Sequence, residues 1–421
     1  MRSSRRFIQR WFGKLLPAVA VALAGTAGVA PAQVTDYAVP GQPTINVPIP
    51  TGQPGTHGIY TFGEFVLLTQ TWTLGDQQVA VRGLVDSRGI VTGTVLGDGT
   101  VINATPGTYI GSGVEALNTN DFARRSWSPG FNIGVGYAFD NGLSIQISYM
   151  HLMSNNYSAG ATLAAPFFRS RGDLSDTFLV SGVFNFPPEY AGPLVKTVAD
   201  DTNGNGTADP GEGGNFYGIW NGASVMNIQF NQWYNQAEIT ARFPLFQTEY
   251  SRIYGLAGGK FAHIMERFKW RTVSYDISGQ AGPRDAALYS NTLSQRMYGP
   301  FIGCGHEINQ GKFGMSLDLT AAGLLNFAKE RAKYKLESNE IQNKLSREEF
   351  TIVPNFNAHL NITWYPIEGV ELRVGYQAMT YFNTKNMRNP IGFNYGSIDP
   401  AYDTQVFRLF HGVNVGVGVF F

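Results

Sequence analysis

The sequence predicts an all-β fold, an antiparallel up-and-down transmembrane β-barrel of about 10 strands. The first observation behind this prediction is a strict alternation of apolar residues with small or polar ones. It is clearest at the C-terminus, where the apolar positions are Val413, Val415, Val417, Val419 and Phe421. A period of two sends successive side chains to opposite faces of a strand, so one face here suits lipid and the other suits water or a crowded lumen.

The second observation is the composition. The 421 residues include 50 glycines, and charged residues make up 15% of the chain, against about 25% in an average soluble domain. No apolar run of about 18 residues occurs after the N-terminal region, so a membrane-spanning fold has to use strands. The single cysteine, Cys304, excludes an intramolecular disulfide and a Cys-based zinc site.

The third observation is the spacing of the connections between 10 alternating segments in residues 59–421. The segments are 59–72, 128–139, 142–154, 224–243, 249–275, 287–309, 311–335, 350–365, 369–383 and 404–421. Tight connections at 140–142, 244–248, 309–311 and 366–369 alternate with longer ones at 73–127, 155–223, 276–286, 336–349 and 384–403. Outer-membrane barrels have short periplasmic turns and long outer loops, so both chain ends are predicted to be periplasmic.

A 12-stranded barrel is the alternative, because residues 79–85 and 90–96 could form one more hairpin. Both segments are shorter than the roughly 9–11 residues that a strand needs to cross. We therefore assign them to the first outer loop. Segments 249–275 and 311–335 are instead longer than a crossing requires, and we expect their charged far ends to stand above the outer leaflet.

The N-terminal residues, 1–32, have the three parts of a cleaved secretory signal peptide. Five basic residues and no acid precede an apolar run, and Ala30-Pro31-Ala32 supplies a cleavage site. A membrane anchor is the alternative, but the run is short and diluted by Gly and Ala. Cleavage leaves 26 basic and 31 acidic residues, which argues against nucleic acid as a partner. Residues 33–58 contain five prolines and are predicted to be a flexible lead-in.

Taken together, these features resemble the β-barrel porins of outer membranes, and the planctomycete porin family in particular. The resemblance rests on the signal peptide, the opening strand Gly63-Glu64-Phe65-Val66-Leu67-Leu68, the alternating strands and the terminal aromatic residue. It implies location in the outer membrane of a Gram-negative-type bacterium and passage of small polar solutes. It also implies that Phe421 belongs to the signal read by the barrel assembly machinery.

Residues 201–212, in the second long loop, match the twelve-position EF-hand type calcium loop. The predicted ligands are Asp201, Asn203, Asn205, the backbone carbonyl of Thr207, Asp209 and Glu212, with Gly206 at the sharp turn. All donors are hard oxygens, which favour Ca²⁺ over zinc or copper. The alternative is a turn rich in Asn, Gly and Asp that binds no metal. A bound ion would have a structural role, the ordering of the outer loop.

The polar faces of the strands predict a narrow or closed lumen, because a barrel of about eight strands is already filled by its own side chains. The lumen-facing candidates are Asp318, Asn357, His359, Glu371, Arg373 and Gln377. On the terminal strands, Val374, Tyr376, Val415 and Val417 are expected to face lipid. Gly416 is expected to face the lumen and to tolerate polar substitution better than Val415.

Two classes of function fit this description. One is a narrow channel for small polar solutes, and the other is a structural or surface-binding barrel that displays its outer loops to an extracellular glycan or surface partner. Outer-membrane lipid and the assembly machinery are expected contacts in both. No enzymatic activity is predicted, because the six histidines are scattered and no catalytic motif is present.

Overall fold

The computed structural model describes residues 58–86, 93–103, 108–123, 127–162, 176–185, 218–248, 250–275, 281–339, 342–395 and 405–421. The strands, in chain order, are β1 (Gly58–Gln70), β2 (Gln78–Asp86), β3 (Thr94–Val95), β4 (Val101–Ile102), β5 (Thr108–Asn118), β6 (Ser128–Ala138), β7 (Ser144–Thr162), β8 (Asp176–Val180), β9 (Val225–Gln247), β10 (Ser251–Val273), β11 (Ala286–Gln310), β12 (Phe313–Leu336), β13 (Gln342–Trp364), β14 (Val370–Lys385) and β15 (Gln405–Phe420). A single helical turn, α1 (Gly218–Asn221), precedes β9.

Ten of these strands close into one antiparallel barrel, which confirms the predicted fold class. The order around the ring is β1-β15-β14-β13-β12-β11-β10-β9-β7-β6, and β6 returns to β1. The ring is closed by the first and last strands, with Phe65 opposite Val415. Closure leaves no strand edge exposed to lipid, and this is the condition for a β-structure to span a bilayer.

The described residues of the two segments that suggested 12 strands lie outside the ring. β2 pairs with β5 and β8 in a separate three-stranded sheet, whereas β3 and β4 form a small hairpin. The alternative pairing of 79–85 with 90–96 is therefore wrong. β2 finds its partners farther along the chain, a pairing that local alternation cannot reveal.

All four predicted tight connections are present. In the first, the Phe139 amide donates to the Leu143 carbonyl at 2.8 Å, and the Asn141 side chain accepts from the Leu143 amide at 3.0 Å. Gly142 completes the turn at φ 80°, a left-handed conformation that favours glycine. Short turns mark the periplasmic end of the barrel, so the opposite end faces outward.

The predicted loop 336–349 is corrected by the structure. β12 continues to Leu336 and β13 begins at Gln342, so the connection is short and most of 342–349 is strand. This part of β13 pairs with the upper part of β12, for example Ser346 with Arg331. It is polar on both faces because it stands above the lipid, and a segment without apolar alternation gives no strand signal.

The outer wall carries the expected apolar band. Val374, Tyr376, Val415 and Val417 are 44–55% exposed, on the face turned away from the lumen. The wall is uneven in height, because β9 to β13 contain 23–25 residues whereas β1 and β6 contain 13 and 11. Among the described residues, no helix is both long and apolar enough to cross a membrane.

Candidate functional site: a polar chamber beneath an aromatic cap

The periplasmic half of the lumen contains a polar chamber of about 180 Å³. The structure places all six lumen-facing candidates on its wall: Asp318, Asn357, His359, Glu371, Arg373 and Gln377. They come from β12, β13 and β14, whose inward positions alternate with the lipid-facing ones. The chamber is therefore a direct product of the period of two in these strands.

One side of the chamber is built around Arg373. Its guanidinium contacts Glu371 on the same strand at 2.8 Å and Glu64 on β1 at 2.9 Å. Glu64 also accepts from the Asn132 amide at 2.8 Å. One cation thus joins a carboxylate of β14 to a carboxylate of β1, across the intervening strand β15, and the charges of this side are largely paired within the wall.

The other side of the chamber holds two more basic residues, one beside each of two carboxylates. Arg242 on β9 approaches Asp318 on β12 at 3.3 Å, and Arg252 on β10 approaches Glu307 on β11 at 3.0 Å. The ring of Tyr254 lies between the two guanidinium groups, with centroid distances of 4.4 and 5.1 Å. Tyr254 also donates a hydrogen bond to Asp318.

Above the chamber, the lumen becomes apolar. A layer of buried side chains fills this level and contacts the polar region below. The Tyr234 hydroxyl donates to Gln236, and Lys260 pairs with Glu238 at 3.1 Å. The layer comprises Val66, Leu68, Met150, Leu152, Tyr234, Ala262, Ile264, Met297, Leu324, Val353, Met379, Tyr381 and Phe410. Such a layer excludes the water that a polar solute would need along its path.

The next level contains a buried ion pair between Arg408 and Glu266. The two side chains are each 1% exposed and meet at two points, 2.6 and 2.9 Å. Thr73 and Gln232 each donate to the same carboxylate at 2.8 Å. The pair therefore connects β10, β15, β9 and the segment that follows β1.

An aromatic cap closes the outer mouth of the barrel in the described structure. Trp220 of α1 packs on Trp270 of β10 with ring centroids 4.5 Å apart and donates to the Tyr334 hydroxyl at 3.2 Å. Tyr395, in the segment after β14, stacks on Tyr289. Burial among these rings raises the pKa of Tyr395 well above its usual value, so the phenol stays neutral.

Connecting segments that fold back into the barrel form part of the cap. The carbonyl of Pro390 accepts from Tyr289 at 3.1 Å and from Asn291 at 2.8 Å. Leu179 and Ala223 exchange backbone hydrogen bonds of 2.9 and 3.1 Å, which holds the two ends of segment 180–222 together. These contacts were not predicted, since loops have no apolar period that could indicate them.

The other residues predicted from the sequence to have a function are not among the described residues of the chamber wall. The calcium ligands of 201–212, the signal peptide and nearly all of the lead-in lie outside the described residues. In the part of the chain that is described, no group of three or more His, Cys, Asp or Glu could hold a metal ion. Phe421 directly follows β15, with its ring 77% exposed and its amide donating to the Ile59 carbonyl at 2.9 Å.

Several lumen residues were missed from the sequence: Glu64, Glu238, Arg242, Arg252, Lys260, Glu266, Glu307 and Arg408. The alternation of inward and outward positions along each strand could have identified them, because each occupies an inward position. Glu266 illustrates the difficulty. It lies in a run of charged and aromatic residues that suggested an exposed rim, whereas alternation puts it on the inner face with Phe268 and Trp270.

The closed ring, lipid-facing band and short periplasmic turns define an outer-membrane β-barrel protein. The family described as Legionella pneumophila major outer membrane protein precursor has a model that matches residues 102–405, and the chain belongs to this family. No curated protein matches the chain significantly. The narrower resemblance to planctomycete porins stays a prediction.

Solved structures with similarity to this chain include three proteins of different descriptions. The outer membrane protease OmpT from Escherichia coli is 9% identical, with a TM-score of 0.42 over 88% of this chain and 100% of its own. The CymD monoaromatic hydrocarbon channel is 9% identical, with a TM-score of 0.25 over 90% and 91%. The toluene transporter TodX of P. putida is 7% identical, with a TM-score of 0.24 over 88% and 91%.

Proposed function

We propose that this barrel is a narrow porin-like channel for small polar solutes and that its described residues have the arrangement of a closed state. The observation that carries the proposal is the chamber of about 180 Å³, whose wall combines paired carboxylates and guanidinium groups with amides. A polar space of this size could hold a small solute. Paired charges of both signs favour small neutral or zwitterionic solutes over highly charged ones.

Opening would require the cap to move. Part of the cap consists of α1 and the segments 71–77 and 386–395, which are connections and pack on rings carried by the barrel strands. A connection can change position without breaking the ladder of the ring, and channels and lids often use such elements. The apolar layer and the Arg408–Glu266 pair would also have to rearrange, which predicts rare opening and low conductance.

The second candidate is a barrel that conducts nothing and presents its outer loops to a glycan or another surface partner. The filled lumen favours it, because the apolar layer and the aromatic cap leave no open passage in the described residues. We further propose that the protein is not an enzyme. His151, the histidine of β7, lies on the outer face of the barrel and contacts Asn235 at 2.5 Å.

Single-channel recording in planar bilayers, combined with swelling of liposomes in sugars of graded size, tests the channel proposal. We expect small, infrequent openings and entry of only the smallest sugars. Large, steady conductance would contradict a narrow lumen. Silent bilayers and no swelling, together with binding of glycan arrays through the loops, would replace the channel by the display function.

A further inference from the structure

The tall side of the barrel carries a dense set of cations on its outer surface, above the apolar band. They are Arg267, Lys269 and Arg271 on β10, Arg296 on β11, Lys329, Arg331, Lys333 and Lys335 on β12, and Lys344 on β13. On each strand these cations are an even number of residues from the lipid-facing positions, so their side chains lie on the same outer face. The opposite wall, β14, β15, β1 and β6, presents no Lys or Arg outward among its described residues.

A row of aromatic rings marks the lower border of this basic surface. Phe261, Tyr298, Phe327 and Phe350 come from four neighbouring strands, and successive ring centroids are 4.9, 6.1 and 5.3 Å apart. Aromatic belts of this kind lie at the boundary between lipid and water. Because the short turns are at the other end, this row marks the outer leaflet.

Cations flank a shallow trough on β11, where the outward residues Ser294, Thr292 and Ser290, which follow one another above Arg296, carry hydroxyl groups. Thr292 lies between Arg267 on β10 and Arg331 on β12. In the next row, Ser290 lies between Lys269 and Lys333. The flanking strands are about 10 Å apart, two strand spacings, which leaves room for a phosphate group over the hydroxyls. We call Thr292, Ser290 and their four flanking cations the cation-flanked trough.

The cations of the trough are available for an external anion. In the described structure, the two exposed ion pairs on this wall use other cations, Arg271 with Glu337 and Lys329 with Glu348. Arg267, Lys269, Arg331 and Lys333 form no ion pair with a described carboxylate. Four cations held close together repel one another, so a multivalent anion would stabilise the arrangement.

The height of the trough above the aromatic row indicates which kind of lipid headgroup would carry the bound phosphate. Ser294, just below the trough, is four residues from Tyr298, so it stands about 10 Å above the aromatic row at a strand tilt of about 40°. Thr292 and Ser290 stand higher still. A phosphate attached directly to a glycerolipid lies at the level of the aromatic belt, whereas phosphates on a sugar headgroup reach farther from the bilayer.

We propose that the cation-flanked trough binds phosphate groups carried on the saccharide headgroup of an outer-leaflet glycolipid. Arg267 and Arg331 would hold phosphate oxygens by paired N–H donors, and the Thr292 and Ser290 hydroxyls would donate from the floor of the trough. The acyl chains would lie along the apolar band below Tyr298. The proposal depends on the outer-membrane location and is independent of whether the lumen conducts.

Equilibrium binding of deep-rough lipopolysaccharide to the detergent-purified protein tests this proposal. The test variant is Arg331→Gln with Lys333→Gln. The matched control removes two cations elsewhere, Lys312→Gln at a periplasmic turn and Arg388→Gln in the cap. Each cation near a charged lipid surface contributes about fivefold to affinity, so we expect about 25-fold weaker binding by the test variant and less than about twofold by the control.

Two further arms identify the ligand. Lipopolysaccharide from which the phosphates have been removed should bind the wild-type protein as weakly as intact lipopolysaccharide binds the test variant. Glu348→Gln, which removes an acid from the same wall, should strengthen binding several-fold. Equal losses in the test and control variants would overturn the proposal, as would undiminished binding of the dephosphorylated probe. Binding of inorganic phosphate without binding of the glycolipid would also overturn it.

Discussion

Arg408 on β15 and Glu266 on β10 form a two-point ion pair across the lumen, with distances of 2.6 and 2.9 Å and both side chains buried. The strands that carry them are not neighbours in the ring. Arg408 also donates to the hydroxyl of Thr384 at 3.1 Å and the carbonyl of Lys385 at 2.8 Å. The pair therefore connects the tall wall to the short wall beneath the aromatic cap.

Loss of one member of this pair should destabilise the barrel strongly. In Arg408→Met the Glu266 carboxylate would remain buried without its cation, which costs about 3–5 kcal/mol. Arg271→Gln breaks the exposed pair with Glu337, where the side chains are 45% and 49% exposed, and should cost no more than about 1 kcal/mol. Urea unfolding in detergent, followed by tryptophan fluorescence, measures both. Similar midpoints for the two variants would contradict the structural role of the buried pair.

The sequence predicts the wall of the barrel more fully than it predicts the contacts in the interior. The wall follows from local alternation, so strands such as Gln405–Phe420 and their lipid-facing residues can be predicted without any partner. The same parity places Asp318 and Arg373 in the lumen. It does not reveal that Arg373 joins Glu64, since that contact depends on ring closure by β1 and β15. The cap is the least predictable part, because connecting segments have no period.

Removal of the central ring of the cap should raise conductance if the channel proposal holds. Trp220 is fully buried and packs on Trp270 at 4.5 Å, so Trp220→Ala would leave a space where the connecting segments meet. We expect more frequent openings than in the wild-type protein. Phe327→Ala, which removes a ring from the outer wall, is the matched control and should leave the recordings unchanged. Identical traces from all three proteins would argue for the non-conducting barrel.

Gly416 should resist substitution, although the sequence predicts that this lumen-facing glycine tolerates polar change better than Val415. A Cβ atom there would lie 2.5 Å from Cγ and 2.9 Å from Cα of Glu64, and 2.6 Å from the Gly63 carbonyl oxygen. Alternation predicts the direction of a residue but not the neighbour that fills the space before it. Gly416→Ser should therefore cost about 1–3 kcal/mol, the range for overpacking.

Gly63, on the neighbouring strand, supplies the control for this prediction. A Cβ atom at Gly63 meets nothing within 4 Å, so Gly63→Ser should have little effect. Val415→Arg supplies a reference on the lipid face, where an arginine near the midplane costs about 2–4 kcal/mol. Urea titrations of the three variants give the order of their losses in unfolding free energy directly. A Gly416→Ser midpoint equal to that of Gly63→Ser would mean that Glu64 moves aside at no cost.

The calcium prediction can be tested independently of the membrane region. The connection between β7 and β9 is anchored on both sides of the predicted site along the sequence, since Leu179 and Ala223 exchange backbone hydrogen bonds of 2.9 and 3.1 Å at the cap. A Ca²⁺ ion bound by Asp201, Asp209 and Glu212 would cross-link the residues between these anchors and screen the repulsion of the three carboxylates.

At millimolar Ca²⁺ we expect limited proteolysis near Pro210 to slow at least severalfold, and chelation to restore it. Glu212→Gln should abolish the protection while urea unfolding of the barrel stays the same, because residue 212 is the predicted bidentate ligand and belongs to none of the ten barrel strands. Asp173→Asn, which removes a carboxylate of the same loop outside the motif, should keep the protection. If cleavage of the wild-type protein is equally fast with Ca²⁺ and with chelator, and calorimetry detects no heat of binding, the segment is a turn without a metal.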